Sequence, residues 1–551
     1  MHIGAVSVRL GSSTGRIGTN IGKLGAYRRV RPRNSVMKVQ VSLDVRGVVD
    51  GRARSSSCRD LNPWRFSDAA RDENEIRSIR RGSSVMSSDV RAVLARTGLI
   101  LGVAAALVCG TAAVPAAFAE PVPVAPPLPF PLPPAPPYLD PAFYHPDPAR
   151  VAQAQPGEIL SAREVHVATL WLLPFNVNAW QVSYRSTNSR GEAIPAVATI
   201  MVPHRPPPSA QRSLVSYQPF ENSLSQNCAP SYAFQMGSLP NPLNSHLQLD
   251  FVQIQAVLQL GHAVVVPDHE GPQGAYAAGP LGGRITLDGI RAAENFDPAG
   301  LPGHDTRVAL WGYSGGAIPT GHAAELQPEY APELDLVGTA AGGLMADILL
   351  GLDYNNGTST FGGAVLGALL GVAREYPAVA QFVDQHMTPL GKALRAVHEN
   401  QCFSLQAAAF PFVNYKGLFD YPGDPMRAPE IQPVLDELSL GKRTPRTPLY
   451  LYEASLDEIV PVNGVNRLYD QYCANGGQVD YTREVLAEHV SAAVSGAGSA
   501  LMWLNDRLNG VPAPTGCRNR DVPLQILDPG AAKVFIDSIG GTLAAALGMP
   551  V

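Results

Sequence analysis

Charge is scarce in this 551-residue chain: only 16% of residues are Asp, Glu, Lys or Arg, and lysine is rare among the basic ones. Recognition of nucleic acid needs clustered Lys and Arg to meet phosphates, and the positive charge lies in the wrong place for it. Residues 1–85 carry a net +10 and residues 86–119 a net +1, which leaves −16 on the chain from Glu120 onward. A body that acidic argues against a nucleic-acid partner. Cysteine is sparse too, with six in all. They form no C-x-x-C pair and no Cys/His cluster of zinc spacing, so no metal is expected. Internal repeats are absent. The apolar stretch 361–373 is Gly-rich and too short to span a bilayer, so no stable membrane span is expected in the mature chain.

What is abundant is proline and glycine, 50 and 52 residues. Residues 121–148 are dominated by proline and are expected to form an extended polyproline II linker, with ordered chain starting near Ala149. Ahead of it, residues 86–119 have the form of a secretory signal peptide: Arg91 and Arg96, then the apolar run 98–108, then Ala117-Phe118-Ala119 as an A-x-A cleavage site. The competing reading is a membrane anchor, but the run is short for one and Pro115 follows it. Export to the outside or the cell envelope by the Sec route is expected, with cleavage after Ala119. Arg80-Arg81 lies too far upstream to make a twin-Arg signal. Residues 1–85 show no sustained apolar periodicity. Either translation begins at Met86, or they are a basic disordered arm. Cys58 and Cys109 fall in segments expected to be absent from the mature protein. Cys228, Cys402, Cys473 and Cys517 remain, an even number that suggests two disulfides in any of three pairings.

From Ala149 the pattern predicts an α/β fold. Residues 179–184 and 196–202 flank the polar turn Asn188-Ser189-Arg190-Gly191 as a β-hairpin near a sheet edge, and 212–217 is another strand. Strands and helices then alternate: helix 247–260, strand 262–266, helix 286–296, strand 306–312, helix 314–326, strand 337–341. Such alternation makes a mostly parallel sheet flanked by helices. Residues 345–440 break the rhythm with apolar helical pieces and no convincing strand. They are expected to be a helical cap, their apolar faces either covering a nonpolar substrate or simply packing a core. The alternation resumes with strand 448–453, helix 462–473, strand 479–484 and a long helix 489–508. The core therefore comprises 149–344 and 441–515, with 516–551 as a C-terminal extension.

Chemistry concentrates at Gly312-Tyr313-Ser314-Gly315-Gly316. A G-x-S-x-G alone is a weak signal. Here it follows an apolar strand and opens a helix, the context of a nucleophile elbow. A serine hydroxyl needs a base, and the base needs an orienting acid. In this fold they follow in the order Ser, acid, His. His322 lies on the helix after Ser314, and His386 and His398 lie in the cap. His489, between a strand and the last helix, stands where the base belongs. Asp457 and Glu458 both follow strand 448–453, and the spacing of Asp457 to Val460-Pro461 favours Asp457. The oxyanion hole needs two donors. The Gly315 amide is one, and the loop Asp268-His269-Glu270-Gly271 is well placed for the other, although a lone Asp is more often a loop cap than a donor.

Together, Pro267-Asp268-His269-Glu270-Gly271, the Ser314 pentapeptide, the helical insert, Asp457 before Val460-Pro461, and Glu488-His489 resemble the secretory lipase family over about residues 149–508. The resemblance implies an α/β-hydrolase core with a cap or lid, and hydrolysis of acylglycerols and other carboxylic esters without a cofactor. It implies Ser314 as nucleophile, His489 as base and Asp457 as orienter, and it maps the oxyanion hole to Asp268 and Gly315. It also implies Cys228–Cys402 and Cys473–Cys517 as disulfides. The proline-rich leader and the acidic charge depart from the family pattern, which bears on binding at a lipid–water interface rather than on the chemistry. Acyl transfer or peptide hydrolysis would use the same triad, and a degenerate, non-catalytic binding protein is the remaining alternative.

Overall fold

The computed structural model describes residues 133–238 and 246–551. The segment 1–85, the signal peptide 86–119 with its cleavage site, Cys58 and Cys109, and the first part of the proline-rich stretch lie outside the described residues. The remainder of that stretch is not a free linker. Pro141–Tyr144 and Pro148–Gln153 are short helices, a position where proline's missing N–H costs nothing. Phe143 and Tyr144 are buried against Val197. The Arg163 guanidinium lies 3.9 Å over the Phe143 ring and pairs with Asp140. Two aromatics among the prolines supply burial that prolines alone lack, so order begins before Ala149.

Strand β1 (Ile159–Glu164) precedes a separate two-stranded ribbon, β2 (Ala168–Thr169) and β3 (Leu173–Pro174). The predicted hairpin is β4 (Asn178–Thr187) and β5 (Ala193–Val202), paired antiparallel from Asn178–Val202 to Thr187–Ala193. There follow β6 (Leu214–Gln218), α1 (Leu247–Gln259), β7 (Ala263–Pro267), α2 (Gly279–Glu294), β8 (Arg307–Tyr313), α3 (Ala317–Tyr330) and β9 (Asp335–Gly342). Six helices then intervene without a strand: α4 (Ile348–Asn355), α5 (Gly362–Glu375), α6 (Pro377–His386), α7 (Pro389–His398), α8 (Phe403–Ala409) and α9 (Gln432–Leu438). The chain closes with β10 (Leu449–Ala454), α10 (Val462–Ala474), β11 (Val479–Glu484), α11 (His489–Ser495), α12 (Ala497–Leu508), β12 (Cys517–Val522) and α13 (Pro529–Ala546).

Ten strands form one sheet in the order β1-β4-β5-β7-β6-β8-β9-β10-β11-β12. Pairing is antiparallel from β1 to β7 and parallel from β7 to β12. Two apolar layers sandwich it. Ile285 and Leu287 of α2 and Ala323 of α3 belong to one. Phe251 and Val257 of α1, with Leu501 and Leu504 of α12, belong to the other. Strands buried on both faces, such as β7 (Ala-Val-Val-Val-Pro, buried throughout), read as continuous apolar runs for this reason.

Three elements differ from expectation. Helix α2 begins at Gly279, about two turns before Thr286. Its glycines are there for close packing on α3: a Cβ on Gly283 would lie 2.9 Å from the Ala323 nitrogen. The predicted helix 489–508 is two helices, α11 and α12. Residues 516–551 are not a mere extension: β12 pairs with β11 from Cys517–Val479 to Val522–Glu484, and α13 packs on α1 and α12. The disulfide Cys473–Cys517 ties α10 to β12, and Cys228–Cys402 ties the segment after β6 to the helical insert.

Candidate active site

Strand β8 delivers the chain to a tight turn, Ser314–Gly316, that leads into α3. Ser314 has φ +54°, in the left-handed region that L-residues rarely adopt. A buried strand on one side and a buried helix on the other impose it. The turn lifts the hydroxyl off the sheet at the start of a helix, where the dipole favours developing negative charge. Ser314 Oγ donates to His489 Nε2 at 2.8 Å, and His489 Nδ1 donates to Asp457 Oδ2 at 2.6 Å.

Each member of this line is held from behind. Asp457 follows β10, and its other oxygen accepts the N–H groups of Ile459 (2.8 Å) and Val460 (2.6 Å), which leaves Oδ2 to the imidazole. His489 opens α11 behind a capping box made by Glu488 and Ser491, and its carbonyl accepts the Tyr313 hydroxyl at 2.6 Å. Glu458, the other carboxylate left open by sequence, accepts the main-chain N–H of His489 at 3.1 Å and does not contact the ring. The remaining histidines considered are elsewhere: His322 bonds the Leu438 carbonyl, His386 that of Asp420 and His398 those of Leu394 and Gly363. A hydroxyl, an imidazole and a carboxylate so aligned can pass the hydroxyl proton to the ring while the carboxylate steadies the imidazolium.

Asp268 is not at the reacting hydroxyl. Its Oδ1 accepts the Ser231 N–H at 2.8 Å and its Oδ2 the Ser231 hydroxyl at 2.6 Å, and it does not line the cavity that Ser314 opens into. The group beside Gly315 is Asn222, from the loop after β6. Asn222 has φ +50° and lines the cavity with Ser314, Gly315 and His489. Its side-chain amide lies so close to Gly315 that a Cβ there would fall 1.6 Å from Asn222 Oδ1. An amide in this place can turn its NH2 to an oxyanion, because the two ends of an Asn are assigned by their partners. The sequence offered one clue, a polar triplet Glu221-Asn222-Ser223 shortly after a buried strand, with Pro219-Phe220 between.

Beneath Asn222 lies a group of buried carboxyls. Glu221, Asp268 and Glu270 are all buried. Burial pushes Asp268 up to about 7 and raises Glu221 and Glu270, against the N–H groups that Asp268 and Glu270 accept. Arg374 of α5 is the cation that acts on Glu270, and His269 beside it is held neutral by burial, lowered to about 4. A carboxyl raised in the fold keeps protons that the unfolded chain has released above about pH 4. The contribution of these carboxyls to stability is therefore greatest near pH 4 and falls as pH rises to 7, while His269, kept from taking a proton, contributes in the opposite sense below about pH 6.5. Thermal unfolding followed by circular dichroism is expected to give a lower Tm at pH 7 than at pH 5, and Asp268→Asn to flatten that decline.

From Ser314 a cavity of about 290 Å³ runs beneath the insert, walled by Phe361, Val365, Leu369, Val372, Leu435 and Leu438. Of the insert's apolar side chains, Leu366 and Leu370 pack the core, and their neighbours wall the cavity. Among the described residues no group of three or more His, Cys, Asp or Glu side chains is arranged to hold a metal ion. Among them, too, no helix is long and apolar enough to cross a membrane.

A mostly parallel sheet with helices on both faces, a left-handed serine at the strand–helix turn and a helical insert over it define an α/β-hydrolase. The family model described as secretory lipase matches residues 238–516. A secreted triacylglycerol lipase of Malassezia globosa is 36% identical over 398 residues, 70% of this chain and 85% of the relative. A probable inactive lipase of Mycobacterium tuberculosis is 35% identical over 377 residues, 68% of this chain and 83% of the relative. The X-ray structure of Candida antarctica lipase A is similar with a TM-score of 0.68 at 28% identity, covering 76% of this chain and 98% of that one. The chain belongs to the secretory lipase family and is a lipase-type ester hydrolase.

Proposed function

We propose that the protein is an exported triacylglycerol lipase that works at a lipid–water surface, with Ser314 as nucleophile, His489 as general base and Asp457 as the orienting acid. The Gly315 N–H and the Asn222 side-chain amide, in place of Asp268, bind the oxyanion. The observation that carries this reading is the unbroken hydrogen-bond line from Ser314 through His489 to Asp457 at the mouth of an apolar cavity. The Ser314 oxygen attacks the ester carbonyl as His489 takes its proton. The carbonyl oxygen, now negative, is met by the two amides. His489 then protonates the departing alcohol. Water adds to the acyl-enzyme by the same route and frees the acid, so no cofactor enters. The cavity beneath the insert holds the acyl chain, and residues 345–440 act as its cap. A relative is named as inactive, but the complete Ser–His–Asp line favours activity here. Export follows from the signal peptide 86–119, with cleavage after Ala119.

The surface reading rests on the rim of the cavity. Leu486 (66% exposed) and Leu456 (62% exposed) flank His489, the Leu456 N–H bonding the Ala487 carbonyl, and Val490 (48% exposed) lines the mouth itself. Leu249 also lines the cavity, and its neighbour Gln248 accepts the N–H of Leu170, on the loop that carries Leu172 (74% exposed). Apolar side chains grouped around a mouth suit an apolar phase. The wild-type enzyme is expected to hydrolyse emulsified triacylglycerol and soluble p-nitrophenyl esters but not peptides. Leu486→Asp should lower the rate on emulsion at least about fivefold and leave the soluble short ester within twofold, since burying a charge in lipid costs a few kcal/mol. Equal loss on both substrates would remove the rim from the reading.

A further inference from the structure

The loop Asp268-His269-Glu270 stood out in the sequence, yet none of its side chains lines the cavity. What they do touch is the segment that carries Asn222. His269 Nε2 donates to the Pro219 carbonyl at 2.7 Å; a carbonyl can only accept, so the proton sits on Nε2. Asp268 takes both the N–H and the hydroxyl of Ser231. Between them, Glu270 accepts the N–H of Ser223, with Oε2 at 3.1 Å, and that of Asn222 as well. The segment 219–231 is therefore gripped at its start, its middle and its end by three consecutive residues after β7.

The middle grip matters most. Asn222 is held in the left-handed region, which Asn tolerates better than most L-residues but adopts only where its surroundings favour it. Two successive N–H groups converging on one carboxyl group around such a residue form a nest, in which the acceptor oxygens stabilise the strained turn. Without the acceptor both N–H groups would be buried and unpaired, a costly state, and the loop would gain by turning them outward. That turn would swing the Asn222 amide off Gly315. The opposite side of the loop bonds to the insert, where the Ser223 hydroxyl accepts the Phe403 N–H at 3.1 Å and Leu224 accepts Arg374. Those contacts close the loop but do not set the φ of Asn222.

We propose that Glu270 is a positioning residue for ester hydrolysis: by receiving the N–H groups of Asn222 and Ser223 it holds Asn222 in the left-handed conformation that aims its side-chain amide at the oxyanion. The inference rests on the reading of Asn222 as the second oxyanion donor. Glu270 touches no reacting atom, so its effect passes through Asn222 and shows in kcat rather than KM.

The test is a double-mutant cycle on the full secreted enzyme, with kcat and KM measured on a soluble p-nitrophenyl ester. Glu270→Leu, of similar volume but with no acceptor, is expected to lower kcat about 10–100-fold with KM within twofold. Glu270→Gln, which keeps a carbonyl acceptor, should recover most of that loss. In an Asn222→Ala background, Glu270→Leu should cost no more than a further twofold. If the losses multiply instead, Glu270 acts structurally and the inference is overturned while the oxyanion reading stands. If Asn222→Ala alone leaves kcat unchanged, the oxyanion reading fails and this inference with it. Should Glu270→Leu not fold, Glu270→Asp, with a carboxylate one methylene short, carries the same comparison under the same two outcomes.

Discussion

Ser314→Ala is expected to lower kcat on a p-nitrophenyl ester by about 10⁴–10⁶-fold, with the circular dichroism spectrum and Tm close to those of the wild type. The residue removed is small and sits at a turn whose backbone is set by β8 and α3, so the fold has little reason to change. Loss of the hydroxyl leaves no atom for the acyl group to form a bond to. The residual rate would come from the oxyanion donors and from binding alone. His489→Ala should cost about as much, and the Ser314→Ala/His489→Ala double variant no more than either single one, because the two act as one unit. Asp457→Asn should cost about 10⁴-fold by favouring the wrong tautomer of the ring. Glu458→Gln keeps an acceptor for the His489 N–H and should stay within about tenfold. Equal damage at Asp457 and Glu458 would mean that the acid has been misassigned, whatever the distances in the resting enzyme.

The second large effect is at Gly315. A methyl group there would sit 1.6 Å from Asn222 Oδ1, a separation no pair of non-bonded atoms tolerates, so Gly315→Ala must displace either the Asn222 amide or its own N–H. Both belong to the proposed oxyanion hole. The expected loss in kcat is about 10²–10³-fold, the magnitude of removing one oxyanion donor, with KM little altered. Asn222→Ala should lose a similar factor. It also removes the clash, so adding Gly315→Ala to it should cost little more. Asp268→Asn makes the contrast. Its carboxyl bonds Ser231 and does not line the cavity, so the substitution should shift Tm more than kcat. A hundredfold fall in kcat for Asp268→Asn at unchanged Tm would return Asp268 to the oxyanion hole.

How far the site was legible follows from how local each signal is. The elbow is a strand, a turn and a helix in about twenty consecutive residues, and its apolar run and pentapeptide record it directly. The base and acid are fixed by order along the chain and by strand ends, so His489 and Asp457 could be placed without knowing any distance. The choice between Asp457 and Glu458 was weaker, since neighbouring residues on a loop differ only in where their side chains point. The loops after β6 and β7 show the limit more sharply. Both follow buried strands and both carry acidic or amide side chains. Which one lines the cavity with Ser314 is visible only in the fold: Asn222, at φ +50°, does and Asp268 does not.

The same division runs through the fold. Pattern and spacing along the chain determined the α/β alternation, the hairpin, the strandless insert and the serine with its two partners, because hydrophobic periodicity and turn chemistry are properties of neighbouring residues. Tertiary structure alone decided that Gly279 to Gly283 are helix, since only α3 packed against them explains the missing side chains. It alone decided that β12, a polar and largely exposed sequence, completes the sheet, since an edge strand has no apolar run to announce it. And it alone decided that Asp268 bonds Ser231 while Asn222 lines the cavity beside Ser314, because the aim of a side chain on an irregular loop is set by contacts distant in sequence, which no local pattern contains.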